Sequence, residues 1–212
     1  MSRKWISTRL VPLLLIVAGV WQLASASWIL VKAELSQYLI SSAWERQLHA
    51  GEIHKPWPWA DTWPVARLKL DQQKPMVVLQ GTTGEALAFG PGLHEASTLP
   101  FTQVSGGEAQ VQNSGIPVRT TVIAAHRDTH FRGLEKLRAG MGVQLQARDG
   151  RWQRYRVLGT RVVDSSRETL PISDRPGLLL VTCYPFGALE AGGPLRYLVY
   201  AEPVPEAPVI QL

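Results

Sequence analysis

A single cysteine, Cys183, excludes any internal disulfide in this 212-residue chain. A lone thiol is a liability in an oxidising compartment, so it needs a reason to be kept. The bland reading is a small buried hydrophobe; the other is a reactive thiol in a prepared environment. Acid is missing from the first 33 residues, which carry Arg3, Lys4, Arg9 and Lys32. Those four supply most of the formal +5, and the remainder holds 18 basic against 17 acidic side chains. So balanced a domain lacks the concentrated positive surface that displaces phosphate counterions, and no nucleic-acid partner is expected. Internal repeats and low-complexity tracts are absent as well. His49, His54, His94 and His130 have no cysteine or acidic residue at ligand spacing, so neither a metal nor another cofactor is expected.

Charge is also missing from Leu10 to Val31, 22 residues that include Leu13-Leu14-Leu15-Ile16-Val17. A helix needs roughly 20 apolar residues to cross the bilayer core, so this run is long enough to span. Arg3, Lys4 and Arg9 precede it, and the positive-inside bias places residues 1–9 in the cytoplasm and everything after Lys32 across the membrane. Ala24-Ser25-Ala26 has the small-x-small form of a cleavage site, which leaves a removed signal peptide as the competing reading. Trp28-Ile29-Leu30-Val31 prolongs the run beyond that site and favours a single-pass anchor over 10–31. Export of the following domain is expected on either reading.

Leu35, Leu39, Ala43 and Leu48 fall near helical spacing, which predicts a short amphipathic helix over 33–48. Lys55 to Pro64 contains three prolines and three tryptophans and predicts an extended linker, because proline lacks the donor a helix or central strand uses. A juxtamembrane segment over 32–64 and one folded domain over 65–212 follow. Within that domain, apolar or β-branched runs alternate with turn residues at 77–79, 86–89, 120–123, 143–147, 155–163, 178–182 and 197–201. That pattern predicts a mainly β fold, a barrel or a sandwich, with few short helices. Asp149-Gly150 signals a two-residue hairpin turn of the primed type, and Leu134 and Leu137 predict one short helix capped by Gly140.

His126 directly follows the run Thr121 to Ala125, Cys183 directly follows Leu178 to Thr182, and Arg196 opens the run Tyr197 to Tyr200. Three apolar strands thus each deliver one chemically capable side chain at an end. Taken singly, a histidine or an arginine at such a place is most often an ordinary surface group. Together, at corresponding strand ends, they form a candidate site.

The segments Val122-Ile123-Ala124-Ala125-His126-Arg127-Asp128-Thr129-His130-Phe131, Leu180-Val181-Thr182-Cys183-Tyr184-Pro185-Phe186 and Gly192-Gly193-Pro194-Leu195-Arg196-Tyr197 resemble the His, Cys and Arg motifs of the sortases. The Tyr-Pro-Phe and Gly-Gly-Pro-Leu-Arg details resemble the branch found in Gram-negative proteobacteria. Leu87-Ala88-Phe89-Gly90-Pro91-Gly92 joins the resemblance, which covers roughly residues 64 to 203. Ala125 stands where the family often has glycine, and Leu179 where threonine opens the cysteine motif. The resemblance implies a closed β-barrel preceded by an inner-membrane helix, with the catalytic domain in the periplasm. It implies Cys183 as nucleophile, His126 as acid/base partner and Arg196 as the cation at the reacting carbonyl. Thr182 and Ala125, beside the two reacting residues, are read as substrate contacts. The implied partners are an exported protein with an LPxTG-like C-terminal signal and an amine acceptor that resolves the thioacyl-enzyme.

Papain-like proteases place cysteine before histidine, the reverse of this order. An L,D-transpeptidase is a nearer alternative, but its Ser-His-Gly-Cys signature is missing. From a different class, a catalytically silent membrane-tethered β module that docks an envelope partner is the other reading. Labelling of Cys183 by a thiol-reactive peptide, reduced on mutation of His126, separates the enzyme from the silent module.

Overall fold

The computed structural model describes residues 3–100, 119–169, 175–188 and 192–205. The side chains of Arg3, Lys4 and Arg9, and residues 206–212, lie outside that description. The chain divides into two compact units, Met1–Leu39 and Ile40–Leu212.

In the first unit the backbone is helical from Arg3 onward, within a helix α1 that runs Arg3–Ala50. Leu13, Leu14, Leu15, Ile16, Val17, Val20, Trp21 and Leu23 are all more than half exposed. Apolar side chains displayed around a helix suit a hydrocarbon environment rather than a protein core. The helix is long and apolar enough to cross a membrane.

The second unit begins with the last turns of α1. The amphipathic helix expected over 33–48 is present as the continuation of α1, and its buried face differs from the expected one. Ile40, Ala43, Trp44 and Gln47 are buried at i, i+3, i+4 and i+7, while Leu35 stays exposed. Ile40 packs with Leu79 and Ala86, and Glu45 forms an ion pair with Arg67 at 2.5 Å. Residues 51–63 contain no regular element, as the prolines require, yet they are fastened down. Thr62 is buried and donates to the Gln80 carbonyl at 2.8 Å, and Trp57 meets Phe89 edge-on at 5.1 Å.

Eight strands follow: β1 Pro64–Leu70, β2 Met76–Gln80, β3 Gly92–Leu93, β4 Thr120–Ala124, β5 Gly142–Gln146, β6 Trp152–Asp164, β7 Gly177–Cys183 and β8 Leu195–Pro203. They close into a barrel in the order β1-β2-β3-β4-β7-β8-β6-β5, with β5 returning to β1. The pairs β2–β3 and β4–β7 are parallel and the remaining pairs antiparallel. Because successive strand residues face opposite sides, each strand splits into two rows. The inner row fills the barrel with Ile123, Leu178, Leu180, Val199 and Ala201. The outer row gathers Val122, Leu179, Leu198 and Val163 into a second apolar cluster outside it.

Several local expectations are corrected. Residues 86–89, expected as a strand, lie in helix α2, Gly84–Phe89; Ala86-Leu87-Ala88 favours helix, and Glu85 suits its first turn. The short helix near Leu134 is a 3-10 turn, Arg132–Lys136, that ends before Gly140. Gly140, at φ +89, instead turns the chain so that its N–H meets the Val157 carbonyl at 2.8 Å. Residues 147–151 join β5 to β6, and the hydrogen bonds across them enclose three residues, 148–150, not two. Gly150 donates to the Ala147 carbonyl and Ala147 donates to Arg151, and only Gly150 has positive φ. Either primed turn needs positive φ at its first central position, here Asp149, which lacks it, whereas one αL glycine after an ordinary turn gives the three-residue hairpin observed. Gly92 is required by close approach: a Cβ there would sit 2.2 Å from the Gly81 carbonyl oxygen, where β3 leaves β2.

Candidate active site

Strand direction brings the three candidate residues to one pole. Parallel β4 and β7 end at the same end of the barrel, and β8, antiparallel to β7, begins there. Cys183 and Arg196 are direct cross-strand partners at the last position of the β7–β8 ladder. Ala124 pairs with Val181, and the Ala125 N–H donates to the Val181 carbonyl at 3.2 Å, carrying the β4–β7 register past the end of β4. Two places on from Ala124 and Val181, His126 therefore comes abreast of Cys183. Neighbouring strands lie about 5 Å apart, so a thiol and an imidazole on one face at those positions are within reach of each other.

The face is the outer one. Cys183 is in phase with Leu179 and Val181, Arg196 with Leu198 and Tyr200, and His126 with Val122, all members of the outer cluster. His126 is exposed, and Cys183 and Arg196 are half-buried. The Arg196 Nη1 donates to the carbonyls of Gly193 at 2.6 Å and Leu195 at 2.9 Å. That fixes the guanidinium plane and leaves Nε and Nη2 without a hydrogen-bond partner among the described residues.

Thr182 and Ala125, expected as substrate contacts, occupy the inner row at 2 % and 5 % exposure. The Thr182 hydroxyl donates to the Ala125 carbonyl at 2.7 Å, tying the end of β7 to the residue after β4, one place before Cys183 and His126. Their side chains offer a ligand on the outer face no surface.

Sequence reasoning assigned no role to several residues that crowd the same pole. Tyr184 stacks on Tyr197 at 6.2 Å, and Phe186 meets both rings edge-on at 6.2 and 5.0 Å. Phe186 and Tyr197 also pack on the barrel core. Arg127 is 6 % exposed and bonds to the turn after Cys183. His130 is half-buried and lies close enough to feel the charge of His126; burial first, then that charge, hold its pKa below the ordinary histidine value. All of these lie inside the quoted motifs, so adjacency to a candidate residue was the one signal available. Among the described residues no cluster of His, Cys, Asp and Glu could hold a metal ion.

The closed β-barrel thus carries a thiol, an imidazole and a guanidinium in register at one pole of its outer face. A family model described as Sortase domain matches residues 68–204. No curated protein sequence matches the chain. Among solved structures, sortase A from Corynebacterium diphtheriae aligns with 21 % identity and a TM-score of 0.52 over 71 % of this chain and 65 % of its own. The chain thus spans just under two thirds of that protein. A Clostridium perfringens sortase D5 transpeptidase aligns with 18 % identity and a TM-score of 0.57 over 81 % of this chain and 99 % of its own. A pilus-related sortase C of Group B Streptococcus aligns with 22 % identity and a TM-score of 0.50, covering 67 % and 68 %. At these identities the structural likeness concerns the fold. The chain belongs to the sortase family, by the family model that covers most of its barrel.

Proposed function

We propose that this protein is a membrane-anchored cysteine transpeptidase that cleaves an LPxTG-like C-terminal signal of an exported protein and passes the acyl group to an amine. The observation that carries the reading is the register: Cys183 opposite Arg196, with His126 abreast of Cys183 on the neighbouring strand. The Cys183 thiolate attacks the scissile carbonyl, and the carbonyl electrons move onto oxygen, where the free edge of the Arg196 guanidinium donates hydrogen bonds. As the tetrahedral species collapses to a thioester, the C–N bond breaks and the His126 imidazolium protonates the departing amine. The now neutral His126 takes a proton from the incoming amine, which attacks the thioester and regenerates the thiolate. Val181 and Tyr200, the half-buried residues of the outer apolar cluster leading to Cys183, offer a floor for the apolar part of the signal. Thr182 and Ala125 hold the strand ends rather than the peptide.

The exposed apolar helix before the barrel and the three basic residues ahead of it support an inner-membrane anchor with the barrel in the periplasm. The proteobacterial branch rests on the Tyr-Pro-Phe and Gly-Gly-Pro-Leu-Arg details. The test is intact-mass analysis after incubation with an LPxTG peptide, with and without a primary amine. A thioester adduct on Cys183 that the amine discharges, and that Cys183→Ala abolishes, is the expected result. An unmodified wild-type chain, or an adduct that survives Cys183→Ala, overturns the proposal.

A further inference from the structure

We propose that Arg127 is the positioning residue that holds His126 abreast of Cys183, by clamping the segment behind the imidazole to the segment behind the thiol. The proposal rests on the reading of His126 and Cys183 as the reacting pair. A guanidinium at 6 % exposure is costly unless its donors are met. Arg127 meets them across the site: Nη1 donates to the Pro185 carbonyl at 2.8 Å and Nη2 to the Ala188 carbonyl at 2.9 Å. Pro185 and Ala188 stand two and five residues beyond Cys183. Nε lies 3.3 Å from the carboxylate of Asp128, which is 60 % exposed and makes a weak partner.

The position of His126 is then fixed from both directions. Its carbonyl accepts the Phe131 N–H at 3.0 Å, and Phe131 is fully buried in the barrel core. Together with the Thr182–Ala125 bond, the clamp brackets the reacting residues: one tie joins the residues just before the pair, and the other joins the residue after His126 to the turn that follows Cys183. The planar fork of arginine can address two carbonyls at once, whereas the single ammonium of lysine cannot reproduce both directed bonds. A displacement of about 1 Å at a reacting group can cost on the order of 100-fold in rate, so a clamp this close to the pair is read in turnover.

The test uses the full chain in detergent and single-turnover acylation of Cys183 by an LPxTG peptide. Arg127→Lys and Arg127→Gln are expected to slow the maximal acylation rate at least tenfold, with half-saturating peptide changed less than threefold. In a His126→Ala background the same substitutions should change the residual rate less than twofold, because the clamp acts through His126. Rates within twofold of wild type overturn the proposal, as do equal losses in both backgrounds or a loss confined to peptide affinity. If neither variant melts cooperatively, Arg127 belongs to folding and the proposal also fails. A wild-type chain that does not acylate sinks the proposed function itself, a result distinct from normal wild-type acylation with unaffected Arg127 variants.

Discussion

Replacing Thr182 by valine keeps the shape of the side chain and removes one hydroxyl, so it isolates the bond to Ala125. Thr182 is 2 % exposed, Ala125 is 5 % exposed, and the bond between them is 2.7 Å long. Without the hydroxyl the Ala125 carbonyl loses that donor in a place water does not reach. A net hydrogen bond contributes about 1 kcal/mol, and an orphaned buried acceptor costs roughly 1–3 kcal/mol. For a domain of this size each kcal/mol moves Tm by about 2–4 °C, so Thr182→Val should lower it by roughly 3–10 °C. Thr182→Ser retains the donor and should lower Tm by much less. The assay pairs a thermal melt with steady-state kinetics on an LPxTG peptide for both variants. A residue that ties strands leaves KM within about twofold, whereas a residue that touches substrate raises KM and leaves Tm alone. Unchanged Tm in Thr182→Val, or a raised KM at wild-type Tm, refutes the reasoning.

Arg196→Lys should lose about 100-fold or more in acylation rate, the usual cost of an oxyanion donor, with Tm nearly unchanged; near-native acylation would mark Arg196 as a structural charge. Gly92→Ala puts a methyl 2.2 Å from the Gly81 carbonyl oxygen, so it should destabilise by about 1–3 kcal/mol and shift a chemical melt accordingly. Because burial and the charge of His126 hold His130 below its ordinary value, the unfolded chain takes up a proton that the folded chain resists. Stability should therefore fall as pH drops from about 6.5 through the folded-state value, and His130→Gln should flatten Tm over that range. A His126→Ala variant should raise the NMR midpoint of His130 only in part, since burial is the larger cause.

Strands rich in branched and aliphatic residues were legible: the runs at 120–123, 178–182 and 197–201 are the cores of β4, β7 and β8. β1 was hidden by the prolines before it, although Val65, Leu68 and Leu70 are buried while Arg67 and Lys69 are less so. β3 has two residues, too few for any periodicity, and exists because Gly92 lets the chain approach Gly81. Which strands are neighbours was not legible from pattern. The β4–β7 pairing joins residues 57 apart, and nothing local to either run encodes its partner. The convergence of His126 with Cys183 depends on that pairing, which is why motif order pointed to the site before periodicity could.

One feature of the pole was legible from strand alternation alone. Adjacent residues on a strand cannot share a face, so Thr182 had to point away from the side that Cys183 presents. The same parity sets Ala125 against His126 where the β4 ladder is carried on by the Ala125 N–H. The inner row, Thr182 with Ala125, closes the barrel end; the outer row, Cys183 with Arg196, faces whatever binds there. Alternation therefore separates two kinds of consequence within neighbouring positions. A substitution in the inner row disturbs a buried bond and is read in Tm, while one in the outer row leaves the barrel closed and is read in rate. Arg127 crosses that division: it is buried like an inner residue, yet its bonds end on the turn that follows Cys183. Its loss should register in both measurements, and the part that disappears in a His126→Ala background is the part that belongs to catalysis.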